Sequence, residues 1–330
     1  MRISVIIPNF NHGSRIEKAI RSILEQKPTP VEIIIVDDCS TDNSVLIIKS
    51  LLQKYGNLTL IELAQNIGAV KAVSYGVKVS KGDYLFFAAA DDFLLSNAFT
   101  EILKAYVKYP NQSFYCGEVE IRHEGSKRKS YRPIIRPSNK IDYIDSKRYK
   151  ALLSGGDNYI LTMASVINKD IFLEFGGFDT NFGAAADAFF CRKIALSKGF
   201  VFVPSILTVW NVSLGGTSRD LMQNKDESRN ILELITNKIK TDSIFPVDYS
   251  RNFKKRWLFG CARINYEIKW PSLENNFWMF SLNLWHRTLF RALLFKWSLG
   301  KYLYLFYIYM KFRPYSFIPV IYTFLRRILT

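Results

Sequence analysis

The chain has no glycine-rich phosphate loop: neither GxGxxG nor GxxxxGK[ST] occurs in its 330 residues. That absence argues against phosphate held by backbone N–H groups alone. Cysteine is sparse, and the four present (39, 116, 191 and 261) stand far apart, without the paired spacing of zinc or redox sites. They read as reduced thiols in a cytosolic protein. Long uncharged runs are missing from the tail, where the longest, Pro314 to Leu325, is 12 residues. A membrane-crossing helix needs about 20 apolar residues, so none is expected there. Met1-Arg2 leads straight into a strand pattern, and no signal peptide is expected. Acid is nearly absent from Arg251 onward, with Glu267 and Glu274 against 14 Lys and Arg, so +12 of the formal net charge of +16 lies in that stretch. A polycation interleaved with aromatics suggests an anionic surface, either nucleic acid or the anionic face of a membrane.

What is present before the tail is a repeated strand, loop and helix. Ile3 to Ile7 is a strand stopped by Pro8; a polar loop, Asn9 to Gly13, follows. Ser14 with Glu17 three residues on predicts a capping box for a helix to about Gln26. The second unit has a strand at Glu32 to Val36, a loop at Asp37 to Asp42 and a helix at Asn43 to Tyr55. The third has a strand at Leu58 to Leu63, then Gln65 to Gly68, then a helix at Ala69 to Val79. The fourth strand, Tyr84 to Ala90, has no charge and runs into Asp91-Asp92. Such repeats predict an α/β fold with a mostly parallel, doubly wound sheet, whose loops gather on the carboxyl edge where ligands bind. Two acids at a strand end can hold a hard divalent cation, which in turn grips a diphosphate. Alternatively, Asp91-Asp92 caps a helix from Phe93 to Tyr106.

Farther on, Arg122 to Lys150 is basic and broken by prolines. It reads as a solvated excursion, or as a mobile functional loop. Tyr159 to Asn168 reads as a strand, and Ala188 to Ser197 as a helix behind the loop that opens at Gly176-Gly177.

The stretches SVIIPNFNHG, VDDCSTDNS, QNIGAVKA, KGDYLFFAAADDF and GGFDTNF with ADAFFCRK resemble, in order over roughly residues 3 to 220, the landmarks of family 2 glycosyltransferases with the GT-A fold. The resemblance implies a nucleotide-diphospho-sugar donor, a Mg²⁺ or Mn²⁺ ion, and inverting transfer to an acceptor hydroxyl. Carried over by position, Pro8 and Asn11 resemble the nucleotide-binding end of the first strand. Asp38 resembles the carboxylate that accepts from the uracil ring N–H. Asp37, Asp38 and Asp42 also suit Asx turns and helix caps, and at least one is expected to do only that. Gly68 and Lys71 resemble the segment along the ribose and diphosphate. Asp91 and Asp92 stand at the metal motif, with Asp91 also on the donor. Members often read DxDD where this chain has Ala89-Ala90-Asp91-Asp92, and one charge fewer weakens a metal site. Many members place a His where Ser213 stands here. Asp187 resembles the general base; small apolar neighbours at 184, 185, 186 and 188 favour a raised pKa, and the alternative is a helix-start charge. Arg192 is placed to support that loop.

In the tail, Phe277 to Trp297 and Tyr302 to Leu329 alternate large apolar residues with Arg and Lys, the composition of helices lying in a bilayer interface. A helical subdomain packed on the core is the alternative. A nucleic-acid groove does not need Leu293, Leu294 and Phe295 in sequence, so no nucleic acid is expected. The expected division is a catalytic domain over 1–225 and a helical, basic and aromatic membrane-associating region over 226–330. The expected protein is cytoplasmic and peripheral on the inner face of the cell membrane. It moves a sugar from a UDP-sugar to a lipid-linked or oligosaccharide acceptor. The alternative is a non-catalytic nucleotide-sugar-binding subunit.

Overall fold

A computed structural model describes residues 1–125, 127, 129–156, 159–212, 216–269, 306–310 and 312. Three βα units open the chain: β1 (Ile3–Asn9) with α1 (Ile16–Leu24), β2 (Glu32–Asp37) with α2 (Ser44–Leu52), and β3 (Leu58–Glu62) with α3 (Ala69–Val79). Then come β4 (Tyr84–Phe87), β5 (Phe93–Leu94), α4 (Ala98–Lys108), β6 (Phe114–His123), β7 (Lys129–Arg132), β8 (Asp142–Ile144) and α5 (Ser146–Gly155). A single-turn helix, Thr162–Ala164, leads into β9 (Ser165–Asn168), α6 (Lys169–Glu174), a turn at Thr180–Ala185, α7 (Ala186–Lys198) and β10 (Phe200–Val212).

The strands form one sheet in the order β3-β2-β1-β4-β9-β6-β10-β5, with β7 on β6 and β8 on β10. The β1–β2, β2–β3, β1–β4 and β6–β10 pairs are parallel, whereas β9, β5, β7 and β8 pair antiparallel. The fold is therefore α/β as expected, but the second half of the sheet is mixed. The reason is local for β7, which follows β6 after only five residues, too few for the crossover that a parallel pair needs.

Alternation along the strands sends Val5, Ile7, Tyr84, Phe86, Tyr115 and Val119 into one core with Ile16, Ile20 and Ile23 of α1 and Phe99 and Ile102 of α4. On the opposite face Ile34 and Val36 meet Ala72 of α3. α3 lies so close to β1 that a Cβ at Gly76 would come within 2.6 Å of Ile6. Such fully buried aliphatics contribute about 2–5 kcal/mol each against truncation to Ala.

Four local expectations change. The capping box at Ser14 is not formed: α1 starts at Ile16, His12 O accepts from Arg15 N and Ile16 N, and Glu17 bonds Arg21 instead. Asp91-Asp92 does not cap a helix, because Phe93–Leu94 is recruited as a strand by β10 and α4 begins only at Ala98. Tyr159 to Asn168 is strand only over Ser165–Asn168, after the Thr162–Ala164 turn. The basic stretch from Arg122 is no solvated excursion: it completes β6 and supplies β7, β8 and the start of α5.

The chain divides into two compact units, the second beginning at residue 214 and including a short stretch from 153 to 157. The second unit holds α8 (Thr217–Gln223), α9 (Lys225–Thr241) and α10 (Tyr249–Lys269). α9 buries Ile231, Leu232, Ile235 and Ile239, and Trp257 of α10 donates its indole N–H to Ser228 Oγ at 2.9 Å. Among the described residues no helix is long and apolar enough to cross a membrane. The tail segments expected at a bilayer, 277–297 and 302–329, lie outside the described residues except for 306–310 and 312.

Candidate active site at the carboxyl edge of the sheet

β1 is paired on both sides, and its proline decides where one pairing ends. Ala88 N donates to Ile6 O at 3.0 Å, and the next bond of that parallel ladder would need an N–H on Pro8, which has none. β1 and β4 therefore separate just before the acids, at the point where the sheet is entered by strands from either side. Ligand-binding crevices open at such switch points.

The loop after β2 is built by its own polar groups. Asp37 is buried and accepts from Asn9 Nδ2 at 2.6 Å, Ser40 Oγ at 2.6 Å and Ser40 N at 2.9 Å. Asp42 accepts from Gly13 N at 2.8 Å and Ser44 N at 2.9 Å. Both are turn-builders, which accounts for two of the three loop acids. Asn11, at φ 56°, accepts through Oδ1 from Thr41 N at 2.8 Å and so ties the first loop to the second. Asp38 spans to the third: its two oxygens accept from Ile67 N at 2.7 Å and Gly68 N at 2.8 Å. Gly68 sits at φ 89° before α3, a backbone that glycine adopts without strain, and Lys71 stands exposed on the first turn of that helix. Pro8, Asn11, Asp38, Gly68 and Lys71 are thus gathered around the ends of β1, β2 and β3.

The two acids after β4 differ sharply. Asp92 is only 5 % exposed, and its Oδ1 accepts from Asn211 N at 2.8 Å, while Asn211 Nδ2 donates to Asp91 O at 2.8 Å. Burial and the neighbouring Asp91 charge push the Asp92 carboxyl up to about 8, against the Asn211 N–H and Arg15. Asp91 is more open, with Arg15 Nη1 4.0 Å from its Oδ2. Both line a cleft of 260 Å³ with Arg15, Lys18, Arg122 and Asn211. Phe93 forms a platform for two of these cations, with Lys18 Nζ 3.7 Å and Arg122 Cζ 5.3 Å from its ring centre. Among the described residues, no group of three or more metal-ligating side chains stands together. One open carboxylate still suits Mg²⁺ or Mn²⁺, which take one or two protein carboxylates and fill the rest of their shell with substrate phosphate and water. Asp91 offers that oxygen; Asp92 is turned into β10.

Asp187 lies in the first turn of α7 and accepts from Ala188 N at 2.6 Å. Burial raises its pKa, opposed by the Ala188 N–H, a Thr162 hydrogen bond and the Arg192 charge. Arg192 is itself fixed by donating to Ala188 O at 2.6 Å. Antiparallel pairing of β9 with β4, Phe86 opposite Val166, sets the Thr162–Ala164 turn beyond the carboxyl end of β4. Asp187 touches that turn and so belongs to the same edge as Asp91. Reasoning from sequence missed Asn9, whose amide holds Asp37, Ser40 and Ser44, although it lies within the quoted first loop. It also missed Asn211, which carries no local signal because its partners lie in the loop between β4 and β5. Ser213 falls outside the described residues.

The model of the Glycosyl transferase family 2 matches residues 4–174, more than half of the chain. The chain belongs to this family. Among curated relatives, the poly(ribitol-phosphate) beta-N-acetylglucosaminyltransferase TarP of Staphylococcus aureus is 34% identical over 157 residues, 46% of each chain. A poly(ribitol-phosphate) beta-glucosyltransferase of Bacillus spizizenii is 37% identical over 101 residues, 30% of this chain and 16% of that one. This glycosyltransferase-family chain thus spans about half of TarP and a smaller part of the second relative. The crystal structure of S. aureus TarS 1-349 in complex with UDP-GlcNAc shares the fold at TM-score 0.58 and 16% identity, covering 89% of this chain and 80% of that one. The GT-A architecture expected from the sequence is the one observed.

Proposed function

We propose that this chain transfers a sugar from a UDP-sugar to a hydroxyl of a polysaccharide or lipid-linked acceptor, with inversion at the anomeric carbon. The observation that carries the reading is the convergence of Asp38, Asp91 and Asp187, from three separate segments, on one sheet edge of a family 2 chain. The UDP-GlcNAc complex of TarS and the poly(ribitol phosphate) acceptors named for two relatives support the donor and the polymeric acceptor.

In this reading Asp38 uses the lone pairs left over from Ile67 and Gly68 to accept the uracil ring N–H, while Pro8, Asn11, Gly68 and Lys71 border the nucleotide. Asp91 would hold Mg²⁺ or Mn²⁺, which when bound would supply charge neutralisation for the departing diphosphate. Asp92, accepting from Asn211 N, holds the acid loop on β10. Asp187 takes the proton from the acceptor hydroxyl as its oxygen attacks the anomeric carbon opposite the diphosphate; the new glycosidic bond forms, the bond to UDP breaks, and the proton remains on Asp187. A basic, aromatic tail holds the enzyme to an anionic membrane face on the cytoplasmic side.

A non-catalytic nucleotide-sugar-binding subunit draws its support from the inward turn of Asp92 and the alanines at 89 and 90. Thermal unfolding with a panel of UDP-sugars, with and without Mn²⁺, tests both, because a ligand that binds the folded state alone raises Tm. The donor that binds is then offered in hydrolysis and transfer assays. Binding without turnover selects the subunit; no stabilisation by any UDP-sugar overturns both readings.

A further inference from the structure

The basic segment after β6 is anchored to the sheet by buried charge pairs. Arg136 Nε and Nη2 donate to Glu118 Oε1 at 2.6 Å and Oε2 at 2.9 Å, a side-on fork in which 18% of the Arg136 side chain and 1% of the Glu118 side chain are exposed. A buried ion pair is weak evidence for stability, since an apolar pair of the same volume serves as well. The fork does, however, fix the guanidinium plane. Nη1 has no protein acceptor among the described residues and is not among their buried unpartnered atoms, so that edge opens to water.

The position of this edge is set by register. Cys116, two residues before Glu118, shares its face of β6. Cys116 Sγ receives Leu161 N at 3.5 Å; the next residue, Thr162, meets Cys191 Sγ of α7 at 3.5 Å and hydrogen-bonds Asp187. Arg136 therefore stands on the face of the sheet that carries the candidate base. Between Glu118 and Lys140 the sequence has seven Lys or Arg against three Glu, a net positive segment that favours an anion.

We propose that Arg136 recognises an oxyanion of the acceptor, a phosphodiester or a carboxylate, through the guanidinium edge that Glu118 leaves open. The inference rests on the glycosyltransferase reading and names its acceptor class. A planar fork is the side chain best matched to such groups, and its orientation here is already fixed before the ligand arrives.

The test is calorimetric binding, with and without saturating UDP, of a ribitol phosphate oligomer, an oligogalacturonate and a neutral maltooligosaccharide of equal length. It compares wild type with Arg136→Lys and with the double variant Glu118→Met, Arg136→Met, which removes both charges of the fork together. Wild type is expected to prefer one anionic oligomer to the neutral one, and the preferred oligomer identifies phosphodiester or carboxylate. Both variants are expected to weaken that oligomer at least about tenfold with the Kd for UDP unchanged. No anionic preference in wild type, unchanged anion affinity in folded variants, or a loss confined to UDP each overturns the proposal. Failure of wild type to bind UDP counts instead against the proposed function.

Discussion

Asp187 and the pair Asp91, Asp92 show how environment divides one residue type among different tasks. Replacing Asp187 with Asn keeps the shape and the Ala188 hydrogen bond but leaves no proton acceptor. Turnover is expected to fall about 10²- to 10⁴-fold, roughly 2.7 to 5.5 kcal/mol of barrier, with KM for the donor nearly constant. Near wild-type kcat would reduce Asp187 to a helix-start charge. Because burial raises this pKa, the base is protonated and idle below it. Activity should therefore rise with pH on a limb displaced above the ordinary carboxylate value of about 3.9, as a pH–rate profile will report. At the metal motif the two acids separate: Asp91→Asn should abolish the Mn²⁺-dependent part of the UDP-sugar Tm shift, whereas Asp92→Asn should retain it. Equal losses in both would mean that Asp92 also holds the ion.

At the level of elements, the Ala88–Asp92 crossing is held at β1 by Ile6 and at β10 by Asn211. Its stability is linked to pH through Asp92. The folded carboxyl titrates near 8 and the free one near 3.8, so folding takes up a proton between these values. Stability conferred by the neutral acid is full below pH 4, declines as pH rises from about 4 to 8, and is flat above. In EDTA, the urea midpoint of wild type should fall from pH 5 to pH 8, and that of Asp92→Asn should fall less; parallel curves would contradict the buried, neutral Asp92. Elements with a strong internal pattern were legible in sequence: α3 spans Ala69–Val79 as expected, and β1, β2 and β3 differ from expectation by two residues or fewer at their ends. β5 was not, because two residues carry no period and become a strand only by pairing with Thr208 and Val209. The Ser14 capping box failed for a related reason: His12 O already accepts from Arg15 N and Ile16 N, so the helix starts without it.

For the whole molecule, the charge distribution separates residues 1–250, which carry +4 of the formal +16, from a strongly cationic tail. Full-length protein should sediment with phosphatidylserine vesicles at 0.1 M salt and be released substantially at 0.5 M, since the Debye length shrinks from about 10 Å at the lower salt. No retention at low salt would remove the membrane reading. The sequence alone determined the family landmarks, the βα repeats, the clustering of Pro8, Asn11, Asp38, Gly68 and Asp91 on one edge, and the candidacy of Asp187, because each rests on order and short-range pattern. Only the tertiary structure decided that Asp37 and Asp42 build turns, that Asp92 is buried against Asn211 while Asp91 is the more open of the two acids lining the cleft, and that the basic stretch from Arg122 is pinned through Glu118 and Glu120. The physical reason is the same in each case. A charged side chain's role is set by the partner that desolvates or pairs it, and each of these acids has one from another strand or loop: Asn9 for Asp37, Gly13 for Asp42, Asn211 for Asp92 and Arg136 for Glu118.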